Sequence, residues 1–324
     1  MRVFSGIQPT GIPHLGNYFG TLINWLKLQN EGHECFYSIV NQHAITVPQE
    51  PKLLSQNIIQ MAATLLAVGI DPQKSTLFVQ SDVPAHIQLA WILSCLAPMG
   101  QMERMIQYKE KAKSDNTANL GLFSYPVLQA ADILIYKADT VPVGIDQAQH
   151  LELTRILAKK FNNQFKELFK EPQTLHTQTT KVVGLDGTAK MSKSKNNYIS
   201  LVEDEDTIWK KLSVAATDPA RIKKSDPGNP EICNIYSLHQ LFSNQKDLDW
   251  VVDGCINAKI GCIDCKKQLF KNITDFLNPI RERYEALIQK PNEVRSALEN
   301  GAKKANKVAS TTLQEVYESI GFKY

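Results

Sequence analysis

The sequence carries little excess charge of either sign. Its 36 Lys and Arg residues stand against 33 Asp and Glu residues, which leaves a formal net charge of +3 over 324 residues. From Val202 onward the two signs balance at 18 residues each. A protein-wide basic field is therefore excluded, and a nucleic acid could bind only through local patches.

Long apolar runs and targeting signals are also missing. No hydrophobic stretch reaches the length of a membrane span. The opening stretch, MRVFSGIQPTG, turns polar too soon for the apolar core of a signal peptide. We therefore expect a cytoplasmic protein without a membrane partner. Disulfides are rare in that compartment, so the six cysteines are expected to be free thiols or metal ligands.

Short apolar runs alternate with helical patterns in the first half of the chain. Because these runs are apolar throughout, they are typical of strands buried on both faces of a parallel sheet. The pattern predicts an α/β fold with a doubly wound parallel sheet. The predicted strands are Arg2–Ile7, Cys35–Val40, Thr76–Gln80 and Asp139–Gly144.

Strand signals fade after about Asp204, and the remaining segments are helical in pattern. The length suits two domains, since a domain typically has about 100–200 residues. We expect a catalytic domain over residues 1–203 and a smaller all-α domain over 204–324, with the C-terminal helices partly returning to the first domain.

The turn after the first strand is the first candidate site. It reads SGIQPTGIPHLGN, from Ser5 to Asn17. Gly11 and Gly16 permit close backbone approach, and the helix that follows offers free N–H groups to an anion. An ordinary strand–helix turn explains the same residues equally well.

The second candidate site is the loop AKMSKSKNN, Ala189 to Asn197. Its lysines are suited to neutralising a polyphosphate, and its serines to donating hydrogen bonds. Gly187 upstream and the Asn196–Asn197 pair favour irregular, movable backbone. The alternative is a solvated surface loop, which most lysine clusters are.

The two segments resemble the paired signatures of class I aminoacyl-tRNA synthetases. HLGN, His14 to Asn17, resembles the HIGH signature, and KMSKS, Lys190 to Ser194, matches the second signature letter for letter. The stretches FSGIQPTG, NQHAIT, YPVLQAADIL, VPVGIDQAQHLELTR and GAKKANKVAS resemble tryptophanyl-tRNA synthetases specifically. The resemblance covers essentially the whole chain and implies the Rossmann-like fold of class I synthetases.

The resemblance implies a tryptophan–tRNA ligase that uses ATP with Mg²⁺. Tryptophan is first activated as tryptophanyl-adenylate with release of pyrophosphate, and is then passed to the 3′ end of tRNA(Trp). Positioning and electrostatics would drive this chemistry without a covalent enzyme nucleophile. The implied catalytic residues are His14, Lys111, Lys190 and Lys193. The implied ATP-binding residues are Gln8, His14, Gly16, Asn17, Gly144, Asp146, Gln147, Lys190, Met191, Ser192, Lys193 and Ser194.

Asp132 in QAADIL is the expected determinant of tryptophan specificity. Its neighbours in sequence are apolar, so its carboxylate needs a partner, and the indole N–H is such a donor. The implied tryptophan-binding residues are Phe4, Gln8, Val40, His43, Tyr125, Gln129, Asp132, Val143 and Gln147. Val40 and Val143 also fit a strand core, His43 also fits a structural histidine, and Lys111 also fits a solvated helix face.

Two positions depart from the family pattern. Ile145 stands where many members have Glu, which puts polar contacts near the ribose in doubt. Lys195 stands where many have Asp, which makes the loop more cationic.

Four cysteines cluster in the helical half. Cys233, Cys255, Cys262 and Cys265 are separated by gaps of 21, 6 and 2 residues. Four thiolates suit zinc or an iron–sulfur cluster, and spacing alone favours zinc. The surrounding sequence resembles a branch of tryptophanyl-tRNA synthetases with a [4Fe–4S] cluster, which implies that cluster here. A set of metal-free thiols is the remaining alternative.

The expected partners follow from the same resemblance. They are L-tryptophan, ATP, tRNA(Trp) and a second copy of the chain in a homodimer, with no role for DNA. Lys266, Lys267 and Lys271 are candidates to meet tRNA phosphates, or form a solvated helix face. Two rival functions remain: the tyrosine-specific sister enzyme, and an RNA-binding regulator without catalysis.

Overall fold

The structure is a computed structural model that describes residues 1–105, 119–143, 148–176 and 182–323. Lys111, Gly144, Ile145, Asp146 and Gln147 lie outside the described residues. Its strands are β1 (Arg2–Ile7), β2 (Glu34–Ile39), β3 (Ser75–Val79), β4 (Thr140–Val143) and β5 (Gln173–His176).

The described α-helices are numbered along the chain. They are α1 (Leu15–Asn17), α2 (Ile23–Asn30), α3 (Asn41–Ala44), α4 (Pro51–Val68), α5 (Ala85–Ser94), α6 (Met99–Met102), α7 (Leu120–Leu134), α8 (Ala148–Gln164), α9 (Glu205–Val214), α10 (Asn234–Phe242), α11 (Gln245–Ile256), α12 (Cys262–Gln289) and α13 (Pro291–Ile320). A π-helical turn, Tyr18–Leu22, joins α1 to α2, and the 3₁₀ turns Gln80–Asp82 and Pro230–Ile232 follow β3 and precede α10. In the described part of the chain, no helix is both long and apolar enough to cross a membrane.

All five strands form one parallel sheet in the order β3-β2-β1-β4-β5. The α/β fold with a doubly wound parallel sheet is therefore confirmed. Strand order reverses between β1 and β4, and ligands bind beyond the carboxyl ends of strands at such a point. These two strands end at Ile7 and Val143.

The sequence pattern did not predict β5. This strand has four residues, QTLH, and pairs only with β4, at the edge of the sheet. A short edge strand needs no continuous apolar run, which was the pattern used to find the others.

Contacts divide the chain into two compact units, and neither is continuous in sequence. Unit 1 comprises Met1–Gly11, Asn24–Gln178 and Lys290–Tyr324, and it contains the whole sheet. Unit 2 comprises Ile12–Ile23 and Thr179–Gln289. Residues 12–23, which follow β1, are thus grouped with the segment that contains the KMSKS loop.

In unit 1, the C-terminal helix α13 packs on the sheet beside β3. The Gly301 backbone lies so close to β3 that a Cβ there would be 1.8 Å from the carbonyl oxygen of Leu77. Ala305 and Ala309 of the same helix are fully buried in the core. Small side chains on one face of α13 therefore allow this close packing.

Unit 2 has a helical core with an aromatic cluster. Helix α12 is contacted by α9, α10 and α11. Helices α9 and α10 pack with their apolar faces buried. Tyr18 and Phe19, from the turn after α1, make edge-to-face contacts with Phe276 and Phe242 respectively. This aromatic cluster connects residues 12–23 to the rest of unit 2.

Gly301→Ala tests the packing of α13. Intrinsic helix propensity alone would make this variant more stable by about 1 kcal/mol. The clash with the backbone of Leu77 outweighs that gain, and we expect a net loss of about 1–3 kcal/mol, read as a lower urea midpoint. Gly100→Ala in α6 is the matched control, since its nearest neighbour would be the end of the Arg104 side chain at 3.4 Å. Equal or higher stability of Gly301→Ala would contradict the packing.

Candidate functional site

The two signature segments meet within unit 2. The Leu15 N–H donates to the Ile199 carbonyl and the Leu201 N–H to the Pro13 carbonyl, both at 3.0 Å. These bonds form an antiparallel bridge between His14 and Ser200. Residues 184 to 188 positions apart in sequence therefore share one short piece of sheet.

Gly16 permits the close approach of the two segments. A Cβ at this position would lie 2.9 Å from the His14 imidazole and 3.4 Å from Cβ of Met191. Asn17 holds the turn from the other side, because its Oδ1 accepts the His14 backbone N–H at 3.0 Å. A glycine and a short amide side chain are thus required by local geometry.

The pKa of His14 is lowered by burial and by two neighbouring lysines. Burial, followed by the charges of Lys193 and Lys190, lowers the pKa of His14 to about 4. Its imidazole is therefore neutral at pH 7. Its buried Nδ1 has no hydrogen-bond partner in the part of the chain that the structure describes. His14 can thus offer a ligand a hydrogen bond without adding a further positive charge.

The KMSKS loop presents its two lysines differently. Lys193 is half-buried, which lowers its pKa to about 8, whereas the Lys190 side chain is exposed. Met191 between them is buried, and its N–H donates to the Val182 carbonyl at 3.0 Å. The Ser192 and Ser194 hydroxyls lie 3.4 Å apart. The site is a cationic surface of two lysines and two hydroxyls anchored by one buried methionine.

In unit 1, Asp132 is buried and has three donor contacts. Its Oδ2 lies 2.7 Å from Nε2 of His43, and its Oδ1 lies 2.8 Å from Nε2 of Gln80 and 2.6 Å from Nδ1 of His86. Burial alone would raise the pKa of this carboxyl, but His43 and His86 outweigh it and hold the pKa below its usual range. Asp132 is therefore an anion at neutral pH.

The partner that this buried carboxylate needs is supplied by the protein itself, without the indole N–H. Three donors from other elements reach it, and His43 is one of them, so this histidine has a structural contact whatever else it binds. A carboxylate has about four acceptor positions, so one remains for a further donor.

A tyrosine extends this network behind the carboxylate. Burial raises the pKa of Tyr136 above its ordinary value, as does the charge of Asp132, so its hydroxyl keeps its proton. That hydroxyl lies 2.8 Å from Nε2 of His86. His86 bridges the two groups, with Nδ1 on the Asp132 carboxylate and Nε2 on the Tyr136 hydroxyl. This series of hydrogen bonds, from Tyr136 through His86, fixes the orientation of Asp132 from the side of the core.

The other residues expected to bind tryptophan lie at different depths in unit 1. Phe4 is buried and stacks on Tyr136 with ring centroids 5.6 Å apart. Val40 is buried against Gly6, where a Cβ would be 2.7 Å from its Cγ1. Gln8 is exposed, and Gln129 is half-buried on α7.

Tyr125, on the same helix as Asp132, has a histidine partner. Its hydroxyl lies 2.8 Å from Nε2 of His150, and its ring contacts His43 edge-on at 6.2 Å. Burial raises the pKa of Tyr125 to about 12. Tyr125 and Asp132 therefore both contact His43, which places these two predicted site residues in one cluster.

The four clustered cysteines line a single cavity in unit 2. Cys233 precedes α10, Cys255 lies on α11, and Cys262 and Cys265 lie in the first turn of α12. Burial and the neighbouring thiols raise the pKa of Cys265 to about 12 and raise the pKa of Cys255. Within the described ranges, no three His, Cys, Asp or Glu side chains are grouped as a metal-binding set. The thiols share one cavity without the close grouping that a single metal ion requires.

Basic side chains surround these thiols. Nη1 of Arg221 lies 3.7 Å from Sγ of Cys255, and Nε2 of His239 lies 3.4 Å from Sγ of Cys265. Lys266 is buried and donates to the carbonyls of Ser213 and Ala215 at 2.8 and 2.7 Å. Lys266 therefore has a structural role, whereas Lys267 and Lys271 remain exposed.

Several residues of these sites were missed from the sequence. His86, Gln80 and Tyr136 complete the Asp132 network, and Asn197 is buried in the KMSKS loop. The buried Asp132 in an apolar helix signalled that donors must exist, but not which ones. Asn197 gave a misleading signal, because asparagine next to asparagine is typical of exposed turns.

Comparisons with known proteins show the family to which the chain belongs. The chain matches the family described as tRNA synthetases class I (W and Y) over residues 1–278. It is 49% identical to the tryptophan–tRNA ligase of Deinococcus radiodurans over 99% of this chain and 98% of that protein. It is 43% identical to that of Thermotoga maritima, with all of both chains covered.

A solved structure matches over nearly the whole chain. It is the tryptophanyl-tRNA synthetase from Campylobacter jejuni, complexed with ADP and tryptophan. The TM-score is 0.93 at 40% identity, covering 99% of this chain and 100% of that one.

Lys193→Gln tests whether the two signature segments meet. Removing the Lys193 charge should raise the pKa of His14 from about 4 by about 1. The measurement is an NMR pH titration of labelled histidines, with the His14 signal assigned from its loss in His14→Gln. Lys195→Gln is the control, because Lys195 is exposed and does not contribute to the His14 shift. An unchanged His14 pKa in Lys193→Gln would show that the segments do not meet as described.

Proposed function

Because the chain belongs to the class I tRNA synthetases of the tryptophan and tyrosine group, we propose that it joins L-tryptophan to tRNA(Trp) at the expense of ATP. The aminoacyl-tRNA ligase activity and the tryptophan specificity expected from the sequence agree with relatives at 43–49% identity over the full chain. The observation in the structure that carries the proposal is the meeting of His14 with Lys190 and Lys193 in one unit.

The reaction has two steps. A carboxylate oxygen of tryptophan attacks the α-phosphorus of ATP, the bond between the α-phosphorus and its bridging oxygen breaks, and pyrophosphate leaves with the electron pair. A ribose hydroxyl at the 3′ end of the tRNA then attacks the activated carbonyl carbon, AMP leaves, and the hydroxyl proton is released. Mg²⁺, which accompanies ATP, neutralises charge on the phosphates. The protein's part is orientation and charge stabilisation.

The cationic loop suits the leaving pyrophosphate. Lys190 and Lys193 place two positive charges beside hydroxyl donors, where negative charge grows as the α–β bond breaks. His14, Gly16 and Asn17 offer neutral contacts to the same nucleotide, since the imidazole carries no charge at pH 7. Gln8, Lys111, Gly144, Asp146 and Gln147 complete the proposed ATP site by resemblance.

Asp132 is the proposed specificity residue for tryptophan. Three donors hold the carboxylate in one orientation, and its remaining acceptor position can take the indole N–H. Discrimination then depends on the position of a fixed anion rather than on an unpaired charge. An amino acid without a donor at that place forfeits one charge-assisted hydrogen bond, which is worth about 1.5–3 kcal/mol.

The helical half is proposed to bind the anticodon region of tRNA. The chain has no basic field as a whole, so we assign phosphate contacts to exposed lysines such as Lys267 and Lys271. By resemblance the enzyme is a cytoplasmic homodimer. We propose a division of labour between residues 1–203 for chemistry and 204–324 for tRNA, with the C-terminal helices partly returning to the first part.

A [4Fe–4S] cluster is proposed for the four cysteines. The donor set fits, because four thiols from three elements line one cavity, where burial and then the neighbouring thiols raise the pKa of Cys255 and Cys265. When bound, the cluster supplies a covalent cross-link between the start of α10, α11 and the start of α12. Zinc is the alternative, but it requires the sulfur atoms to converge on a single ion.

The exchange of pyrophosphate into ATP tests the function directly. With tryptophan present, the purified protein should catalyse exchange, and with tyrosine it should not. Exchange driven by tyrosine alone would assign the chain to the sister enzyme. Binding of tRNA without exchange with any amino acid would identify a regulator that lacks catalysis.

Asp132→Asn tests the specificity residue in the same assay. The amide oxygen can keep the bonds from Gln80 and His86. Nε2 of His43 can accept from the new NH₂ group if the ring proton lies on Nδ1. The acceptor for the indole N–H is lost, so we expect the KM for tryptophan to rise about 10- to 100-fold. The KM for ATP should change less than about twofold, since Asp132 has no proposed contact with ATP. A normal tryptophan KM would contradict the assignment.

Protein purified without oxygen tests the metal. We expect a brown preparation with broad visible absorption, and iron and inorganic sulfide in equal amounts. Cys262→Ser should lose the colour, whereas Cys95→Ser, at an exposed cysteine away from the cavity, should keep it. A colourless protein with one zinc per chain would assign zinc instead.

A further inference from the structure

Asn197 is buried, although the three residues before it at the end of the KMSKS loop are exposed. Ser194, Lys195 and Asn196 are exposed, whereas Asn197 has only 4% of its surface accessible. A buried amide requires hydrogen-bond partners for both its oxygen and its NH₂ group. The described contacts of Asn197 supply them.

Both ends of the Asn197 side chain hold the loop. Its Oδ1 accepts the Ser192 N–H at 2.8 Å, and its Nδ2 donates to Oδ2 of Asp186 at 2.9 Å. The same NH₂ group lies 3.4 Å from the Lys190 carbonyl. The backbone carbonyl of Asn197 accepts the Leu185 N–H at 2.9 Å. The side chain of Asn197 therefore binds Asp186 and the backbone on either side of Met191, and its backbone binds Leu185.

Asp186 connects this amide to the turn before the lysines. Its Oδ1 accepts the Thr188 N–H at 3.2 Å, while its Oδ2 accepts from Asn197. The hydrogen bond from Asn197 and the one from Thr188 lower the pKa of Asp186 below its ordinary value. The carboxylate and the amide thus form a donor–acceptor pair of defined direction.

The slot for Asn197 is shaped by a glycine. A Cβ at Gly184 would lie 2.0 Å from Nδ2 of Asn197. The Gly184 carbonyl accepts from Nδ2 of Asn234 at 2.8 Å, which fixes this backbone from the helical side of unit 2. A side chain larger than hydrogen at position 184 would displace the amide from Ser192 and Asp186.

We propose that Asn197 is a positioning residue for phosphate chemistry. Through Ser192 and the backbone around Lys190, it sets the separation of the Lys190 and Lys193 side chains that are assigned to the leaving pyrophosphate. This inference rests on the proposed function for its catalytic consequence. Its structural half, the ordering of the loop by the Asn197–Asp186 pair, stands independently.

A swap of the pair provides the test. Asn197→Asp places two carboxylates against each other and removes the donor to Asp186. In Asp186→Asn/Asn197→Asp the direction of the bond is reversed: the new amide at 186 donates to the new carboxylate at 197, which still accepts from Ser192. The amide oxygen at 186 still accepts from Thr188. The double variant therefore restores the pair with no change in net charge.

The first readout is the exchange assay at saturating tryptophan. We expect Asn197→Asp to lower kcat about 10- to 100-fold, with the KM for tryptophan changed less than about twofold, because misplaced lysines affect the transition state more than amino-acid binding. The double variant should recover to within about fivefold of wild type. Asn196→Asp adds the same charge one residue away on an exposed side chain, and its effect should stay below about threefold.

The second readout is amide hydrogen exchange of Leu185 and Ser192. Both amides should be protected in wild type and in the double variant, and unprotected in Asn197→Asp, while α12 stays protected in all three. A double variant no more active and no better protected than Asn197→Asp would overturn the proposal, as would full activity of Asn197→Asp. If wild type shows no exchange with any amino acid, the proposed function fails, and the protection pattern alone then decides the structural half.

Discussion

Two backbone hydrogen bonds between residues 13–15 and 199–201 are the constraint on which the cationic site depends. They bring the His14 imidazole beside Lys190 and Lys193, whose charges contribute to its lowered pKa. Without this pairing the lysines would be an ordinary solvated cluster, and His14 an ordinary histidine in a turn. The pairing also explains the glycine requirement at position 16, since only hydrogen leaves room for the ring. Electrostatics and packing here have one common origin.

The two proposed halves of the chemistry use opposite charge arrangements. Around Lys190 and Lys193 the protein gathers positive charge and keeps the nearby imidazole neutral, which leaves a surface that an anion completes. Around Asp132 it buries a single negative charge and surrounds it with His43, His86 and Gln80. Like charges held together without a ligand cost stability, and sites of this kind are commonly retained because binding and catalysis require them. The lysine site thus suits phosphates whose charge changes during the reaction. The Asp132 site suits an indole N–H, which stays the same throughout.

Sequence patterns predicted what depends on local or repeated features. Four strands, the parallel sheet and the tryptophan ligase function were identified, because buried strands are apolar runs and the signature segments are distinctive. The edge strand β5, the partners of Asp132 and the buried state of Asn197 were not identified. His86 and Gln80 reach Asp132 across 46 and 52 residues, so only the folded chain makes them neighbours. Lys266 was considered for tRNA phosphates, yet its ammonium is already bonded to two backbone carbonyls. The roles of the individual site residues stay predictions.

The structure also changes how the KMSKS loop can move. Gly187 and Asn196 have positive φ, as expected of turn residues, and this pattern favoured a pliable loop. Across the turn at Gly187, however, the backbone of Gly184 pairs with Ala189 and that of Val182 with Met191, and the Asn197 side chain holds Ser192. Breaking a buried amide from its partners costs about 1–3 kcal/mol for each group left unpaired. Motion that keeps these bonds is therefore favoured over motion that breaks them. A closing loop would carry Lys190 and Lys193 as one body at a fixed separation, which matches a ligand whose phosphates are themselves covalently spaced.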